Sequence, residues 1–209
     1  MKRSVLHLHL HLCAAILLLS TVGCSQFDGY LEVVKGKGLS DEYQTVLARW
    51  TRSQTIYSEF ETKALITATY ESPEFSRAYL KEYSRVYHLR DEEVKKRAEA
   101  TREKSSDARG FVFYAYIPEK KSNDFDKQGS LWTVFLANEK GERIDPVELR
   151  RIEPLSPMIT EFFPYVNPYY GIAYRVRFPV TDPAGPDWGK MRLFFAGVIG
   201  EVRLDFDGQ

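Results

Sequence analysis

Cysteine and histidine are the side chains best suited to nucleophilic catalysis or zinc binding, and this chain of 209 residues has few of them. The two cysteines and four histidines are Cys13, Cys24, His7, His9, His11 and His88. Only Cys24 and His88 lie beyond the first 23 residues. A tetrahedral zinc site needs several such ligands, and a structural disulfide needs two cysteines. We therefore expect no catalytic residue of this kind, no bound metal and no cofactor in the part of the chain that follows residue 23.

Carboxylates are the remaining candidates for general acid–base chemistry. A pair of them at a suitable separation could hydrolyse a glycosidic bond. Most lie in charge-mixed segments such as Asp91-Glu92-Glu93 or alternate outward on a strand, as Asp205 and Asp207 do, so a solvated surface is the favoured interpretation. The stretches 123–126 and 205–208 also offer oxygen ligands for calcium, but Asn and Asp residues more often form turns and cap loops.

The first residues have the pattern of a secretory signal peptide. Met1-Lys2-Arg3 supplies positive charge, and an apolar segment rich in leucine runs from Val5 to Val22. Its unbroken apolar part, Leu12 to Leu19, is shorter than the about 20 residues that a transmembrane helix needs. The pattern therefore predicts an exported protein whose leader is removed.

Directly after the apolar segment the chain reads Thr21-Val22-Gly23-Cys24, which resembles the lipobox of bacterial lipoproteins. The resemblance covers the first two dozen residues and implies cleavage before Cys24 and acylation of that cysteine. An ordinary secretory signal that leaves Cys24 as a free thiol is the alternative. Ser25, where an aspartate favours inner-membrane retention, implies an outer-membrane anchor with the folded part in the periplasm. The remainder resembles only uncharacterised lipoproteins of Gram-negative bacteria, a resemblance that implies no activity.

The most unusual stretch is an aromatic loop, residues 162–170, with five aromatic residues and two prolines. Such a loop could form a rigid exposed patch for a partner protein, a polysaccharide or a lipid headgroup. The candidate binding patch consists of Phe162, Phe163, Tyr165, Tyr169, Tyr170 and, from a neighbouring loop, Trp188. The alternative, which we favour, is that these rings close one end of the folded core.

Helix signals are concentrated in the first half of the folded part. Ser40 is a suitable N-cap for a helix with apolar residues at spacings of three and four. Ser72 and Pro73 open a second helix, whose tyrosine-rich stripe is expected to pack on a sheet. Asp91 is expected to cap a third, highly charged helix that runs to about Lys104.

Strand signals dominate the second half and give the predicted fold class. One strand is expected at 60–70, and six more at 111–117, 131–138, 147–152, 169–178, 191–196 and 201–206. Several alternate between apolar and polar residues, as Tyr174, Val176 and Phe178 do with Arg175 and Arg177, which is typical of an antiparallel sheet with one wet face. We predict a mainly β, α+β protein: an antiparallel β-sandwich of about seven strands with two or three packed helices and, as one option, an immunoglobulin-like topology.

The predicted organisation is a signal peptide (1–23), a lipidated cysteine with its tether (24–39) and a single globular domain (40–209). The 29 basic and 29 acidic residues balance, so nothing in the charge indicates a nucleic-acid partner. The leading hypothesis is a lipid-anchored envelope protein with a non-catalytic binding or accessory role, whose partner is an envelope protein or a polysaccharide. The alternative is a periplasmic carboxylate-dependent hydrolase that acts on an envelope polymer.

Overall fold

The computed structural model describes residues 38–138, 140–180 and 190–207. The helices within these ranges are α1 (Asp41–Arg49), α2 (Pro73–Tyr87), α3 (Asp91–Asp107) and α4 (Pro157–Phe162), with a short 3-10 helix at Lys120–Ser122. The strands are β1 (Thr51–Ser58), β2 (Glu61–Tyr70), β3 (Ala108–Tyr116), β4 (Trp132–Ala137), β5 (Arg143–Ile144), β6 (Glu148–Arg151), β7 (Ile172–Pro179), β8 (Lys190–Gly197) and β9 (Gly200–Asp207). The predicted leader, Cys24, Ser25 and Trp188 lie outside the described residues.

The strands form two sheets in which every described pair is antiparallel. The first has five strands in the order β1-β2-β3-β7-β6, and the second has four in the order β5-β4-β8-β9. The fold is therefore α+β, with two antiparallel sheets that bury a shared apolar interior, as the strand patterns predicted. An immunoglobulin-like topology stays a prediction.

The described strands number nine, two more than the about seven that the sequence predicted. The two additional strands are β1 and β5. In β1 the residues from Thr51 to Ser58 are mostly polar and half-buried, because this strand lies at the edge of the five-stranded sheet. β5 contains two residues, which is too short for any periodicity to be seen.

Local side-chain chemistry explains where the helices begin. The Ser40 hydroxyl accepts a hydrogen bond from the Tyr43 amide, and the Ser72 hydroxyl accepts one from the Phe75 amide, which confirms both predicted N-caps. In α3 the capping position is Arg90 rather than Asp91, and the Glu93 carboxylate accepts from the Arg90 amide.

Two helix boundaries differ from the sequence prediction. Helix α3 ends at Asp107, three residues beyond the predicted Lys104. Helix α4, which begins at Pro157, was not among the predicted helices, because proline fits the first turn of a helix as well as it fits a loop.

Two apolar clusters lie on opposite faces of the five-stranded sheet. The inter-sheet core fills the sandwich with residues such as Phe113, Leu136, Val176, Leu193 and Phe206. The helix-side core lies under the helices and comprises Tyr43, Leu47, Trp50, Phe75, Val112, Tyr114, Ile159, Phe162, Phe163, Tyr165, Val166 and Ala173. Leu39, at the end of the predicted tether, is partly buried and packs against the helix-side core.

No helix in the described ranges is both long enough and apolar enough to cross a membrane.

Candidate functional site

The residues of the predicted aromatic patch are divided between the interior and the surface. Phe162, Phe163 and Tyr165 are buried in the helix-side core, with at most 5% of each side chain exposed. Tyr169 and Tyr170 are exposed, at 84% and 65%. The three buried rings do not form an exposed patch, so the predicted patch is corrected to these two tyrosines among the described residues.

Hydrogen bonding shows why the buried part of the aromatic loop turns inward. The Tyr165 hydroxyl lies 2.8 Å from the Thr69 hydroxyl and donates a longer bond to the Val112 carbonyl. The Tyr43 hydroxyl donates to the Phe162 carbonyl over 2.9 Å. Each hydroxyl finds a partner in the interior, so the rings are buried without the cost of an unsatisfied polar group.

A cleft of about 660 Å³ opens beside this buried part of the loop and is the candidate ligand site. Its floor is the outer face of the five-stranded sheet, where β3, β7 and β6 lie side by side. One wall is helix α2, which contributes Phe75, Ser76, Tyr79, Leu80 and Tyr83. The other walls are α3, through residues such as Arg97 and Thr101, and α4, through Met158 and Ile159.

Four arginines and two glutamates line the cleft, so it carries an excess of positive charge. On the floor, Arg175 contacts Glu71 at 3.1 Å. Glu148 pairs with both Arg150 and Arg177. A strand presents alternate residues on one face, and for this reason Arg175 and Arg177 of β7 lie together on the floor.

Arg175 has a donor that its ion pair does not use. Its Nε is buried and has no hydrogen-bond partner among the described residues, although its Nη2 contacts Glu71. A buried donor without an acceptor is costly. An anion that enters the cleft and takes the place of the Glu71 carboxylate beside Arg175 could supply an acceptor, which is the strongest local indication of ligand chemistry in the described part of the chain.

Gly110 on β3 makes room for the glutamate of this pair. A Cβ at Gly110 would collide with the Glu71 carboxylate, and the Glu71 amide donates to the Gly110 carbonyl over 2.8 Å. The absence of a side chain at this position therefore lets the Glu71 carboxylate lie over the strand, where it reaches Arg175.

The wall formed by α2 is aromatic. Tyr79 and Tyr83 stack with ring centroids 6.3 Å apart, and the Arg97 guanidinium lies 4.9 Å from the Tyr83 centroid. Burial raises the pKa of Tyr79 to about 12, so this hydroxyl is neutral at physiological pH. The α2 wall therefore offers ring faces to a ligand, and the neighbouring Arg97 of α3 offers a cation.

The two glutamates of the cleft are the only described acids that line it, and they bear on the hydrolase alternative. A hydrogen bond from Arg150 lowers the pKa of Glu148 below its ordinary value of 4.5. A general acid for glycoside hydrolysis needs a raised pKa instead. Glu71 is engaged by Arg175. This arrangement gives the hydrolase alternative no specific support.

Other residues considered for chemistry have structural contacts. The buried Asn123 amide donates to the Ala115 carbonyl and accepts from the Tyr174 hydroxyl, while Asp126 pairs with Arg151. His88 caps the C-terminus of α2 in the left-handed conformation. Within the described residues, no three His, Cys, Asp or Glu side chains cluster in a way that could hold a metal ion.

Comparison with known proteins supplies no relative from which a role could be transferred. No family model matches the chain, and neither a curated protein nor a solved structure matches it significantly.

No cleft residue was predicted from the sequence to form a site. Arg175 and Arg177 were expected together on the solvent-exposed face of a strand. The sequence did contain one indication of the site, which is the pair of arginines at alternate positions of a strand. The helices that precede this strand in the chain were expected to pack on the sheet with their apolar stripes. What the pattern could not supply was the placement of α2 and α3 over that same face.

Proposed function

We propose that this chain is a lipid-anchored protein of the bacterial cell envelope, held to the membrane through Cys24, which binds its ligand in the cleft. The cleft supports the binding role because it combines an excess of arginine, an unpaired buried donor on Arg175 and an aromatic wall. Its volume lies within the range of small-molecule sites. Ser25 favours an outer-membrane anchor, with the domain facing the periplasm.

The proposed ligand is an anion with an apolar or aromatic body. The anionic group would accept from Arg175, and the body would lie against Tyr79, Leu80 and Met158. A guanidinium binds a carboxylate or a phosphate through charge-assisted hydrogen bonds, which are about twice as strong as neutral ones. Such a group could belong to a free small molecule, to an envelope polysaccharide or to a segment of a partner protein.

A binding role is preferred to catalysis because the polar groups of the cleft pair with one another. Glu148 is held ionised between two arginines, and Glu71 is engaged by a third. These pairs can exchange a partner for an incoming anion. An ionised glutamate that is paired with arginine is poorly suited to donate a proton, as a general acid must.

Titration with 1-anilinonaphthalene-8-sulfonate, a fluorescent aromatic anion, tests the cleft. We expect saturable binding that Arg175→Gln weakens about tenfold, because one charge-assisted contact is lost. Arg203→Gln is the matched control, since Arg203 lies on β9 beside Asp205 and does not line the cleft. Equal affinity in a folded Arg175→Gln variant and in wild type would contradict the assignment.

Acylation is tested separately with Cys24→Ser in a bacterial host. The wild-type chain is expected to incorporate radiolabelled palmitate and to shorten on maturation, whereas the variant should remain a longer, unlabelled precursor. Mass spectrometry of the N-terminal peptide gives the attached mass directly. Processing and membrane partition of the variant like those of wild type would show that Cys24 is not the anchor.

A further inference from the structure

One end of the sandwich exposes a group of large apolar side chains, which we call the hairpin end. It consists of Tyr57, Phe60, Leu131 and Val198. Phe60 and Val198 are almost completely exposed, at 103% and 87%, and Tyr57 is 68% exposed. Leu131 is 44% exposed. Single exposed apolar residues are ordinary, but several at one end indicate a surface that contacts something.

Contacts between the two sheets bring these four residues together. The Ile56 side chain lies against Gly200, which joins the β1–β2 hairpin to the turn between β8 and β9. Leu131 lies against Gly197 at the other side of that turn, where Trp132 pairs with Gly197. The two turns and the start of β4 therefore share one end of the sandwich.

The exposed residues are presented by turns whose neighbours are anchored in the interior. Phe60 follows Glu59, which adopts a positive φ of 56° in the tight turn between β1 and β2. Val198 lies between the paired residues Gly197 and Gly200. Ile56 and Ile199 pack against the inter-sheet core. The apolar side chains thus project from a rigid end, not from a long loop.

We infer that the hairpin end inserts into the surface of the lipid bilayer to which the chain is anchored. This inference rests on the proposed acylation of Cys24. The segment 25–37, between that cysteine and the described body, would span at most roughly 45 Å when fully extended. An acylated Cys24 would therefore keep the folded body within roughly that distance of the bilayer surface. Aromatic and aliphatic side chains on protruding turns enter the interfacial region of a membrane readily.

The charges around the hairpin end specify the type of lipid. The connection from β3 to β4 begins and ends at this end of the sandwich, because Tyr116 pairs with Leu65 and Trp132 pairs with Gly197. The acids at this end are Glu59, Glu61, Glu119 and Glu201, and the lysines are Lys63, which pairs with Glu61 at 2.6 Å, Lys120, Lys121 and Lys127. Acidic and basic side chains are about equal in number in this rim, so we expect no net electrostatic attraction to anionic lipid. The hairpin end is therefore matched to neutral headgroups, and its contact with the membrane depends on Phe60, Val198 and Tyr57.

The test uses the mature acylated chain in phosphatidylcholine vesicles that contain nitroxide-labelled lipid. Cys24 is its only cysteine and is blocked by acylation, so a cysteine introduced at Ser58 is the single site for a fluorescent label. A label at position 58 is expected to be quenched at least about twofold more than one at Glu161, an exposed position on α4. Adding Phe60→Ser to the labelled Ser58→Cys chain should remove most of this excess quenching.

Three outcomes separate this inference from the proposed anchor. A chain that fails to sediment with the vesicles would contradict the anchor and, with it, the inference. A chain that sediments but shows equal quenching at positions 58 and 161 overturns the inference alone, and would leave the hairpin end as a contact for a partner protein. Stronger quenching with phosphatidylglycerol than with phosphatidylcholine would overturn the assignment to neutral lipid.

Discussion

The two apolar cores flank the same sheet but are closed to different degrees. In the inter-sheet core, strand residues such as Phe113, Tyr174 and Phe195 are fully buried, and the Phe113 ring contacts the rings of the other two. The helix-side core gathers residues from helices, strands and the loop after α4, and at its border Tyr79 and Tyr83 remain half-buried. One face of the five-stranded sheet is therefore fully covered by the second sheet, whereas the helices leave part of the other face open as the cleft.

This difference separates the part of the molecule that holds the fold from the part that can accept a ligand. Two sheets pack over their full inner faces because strand side chains alternate in a fixed register. Helices cover a sheet less completely, since each contributes one apolar stripe. On the helix-covered face, the uncovered part of the sheet exposes Arg175 and Arg177.

The largest expected effect comes from truncating a ring in the inter-sheet core. Phe113→Ala should lower the free energy of unfolding by about 3–5 kcal/mol, because it removes a fully buried ring and leaves a cavity. Urea denaturation followed by circular dichroism measures the change. Phe60→Ala is the matched control, since its ring is fully exposed and the change should stay within about 0.5 kcal/mol. A cost below about 1 kcal/mol for Phe113→Ala would show that the sandwich interior is not tightly packed.

The second-largest expected effect concerns Glu82, which joins α2 to the start of α1 on the helix-covered face of the sheet. We expect this residue to make the free energy of unfolding depend on pH. This buried carboxylate, 3% exposed, accepts hydrogen bonds from Arg85 and from the Ser40 amide and hydroxyl. These contacts, those of Arg85 first, lower its pKa from 4.5 to about 2. A lowered pKa stabilises the folded state above pH 4.5, and that contribution disappears as the pH falls toward 2.

Glu82→Gln is therefore expected to lower the free energy of unfolding by about 2–3 kcal/mol at pH 7 and by much less at pH 2.5. Urea denaturation of both chains at several pH values measures the difference. The comparison isolates Glu82 from other carboxylates with lowered pKa values, such as Glu93 and Glu148, because both chains retain them. A difference that stays constant between pH 7 and pH 2.5 would mean that Glu82 is not ionised in the folded protein.

The fold was largely predictable because strand alternation and helix caps are local signals. Tyr174, Val176 and Phe178 were expected on one face of a strand, and all three are fully buried between the sheets. Ser40 and Ser72 were expected as caps and serve as caps. β1 was missed because an edge strand needs little apolar surface on either face, so its sequence lacks alternation.

The cleft could not be predicted from the sequence, because its lining residues come from segments far apart in the chain. Glu71, Arg97, Glu148 and Arg175 lie on different elements, and no local pattern joins them. The aromatic loop presents the opposite problem, because its residues are adjacent in the chain and yet their burial could not be predicted. Its composition was conspicuous in the sequence, yet composition does not reveal which rings find a partner in the interior, as Tyr165 does through Thr69.

The smallest predicted effect concerns that loop and compares two tyrosines four positions apart. Tyr165→Phe removes a hydroxyl that contacts Thr69 and Val112, whereas Tyr169→Phe removes one from a side chain that is 84% exposed. Thr69 keeps a second partner in the Thr51 hydroxyl at 2.7 Å, so no polar side chain is left without a partner. We therefore expect Tyr165→Phe to cost about 1 kcal/mol and Tyr169→Phe to be neutral within about 0.5 kcal/mol. The unfolding midpoints of the two variants measure this difference, and equal midpoints would mean that the Tyr165 hydroxyl does not help to close the helix-side core.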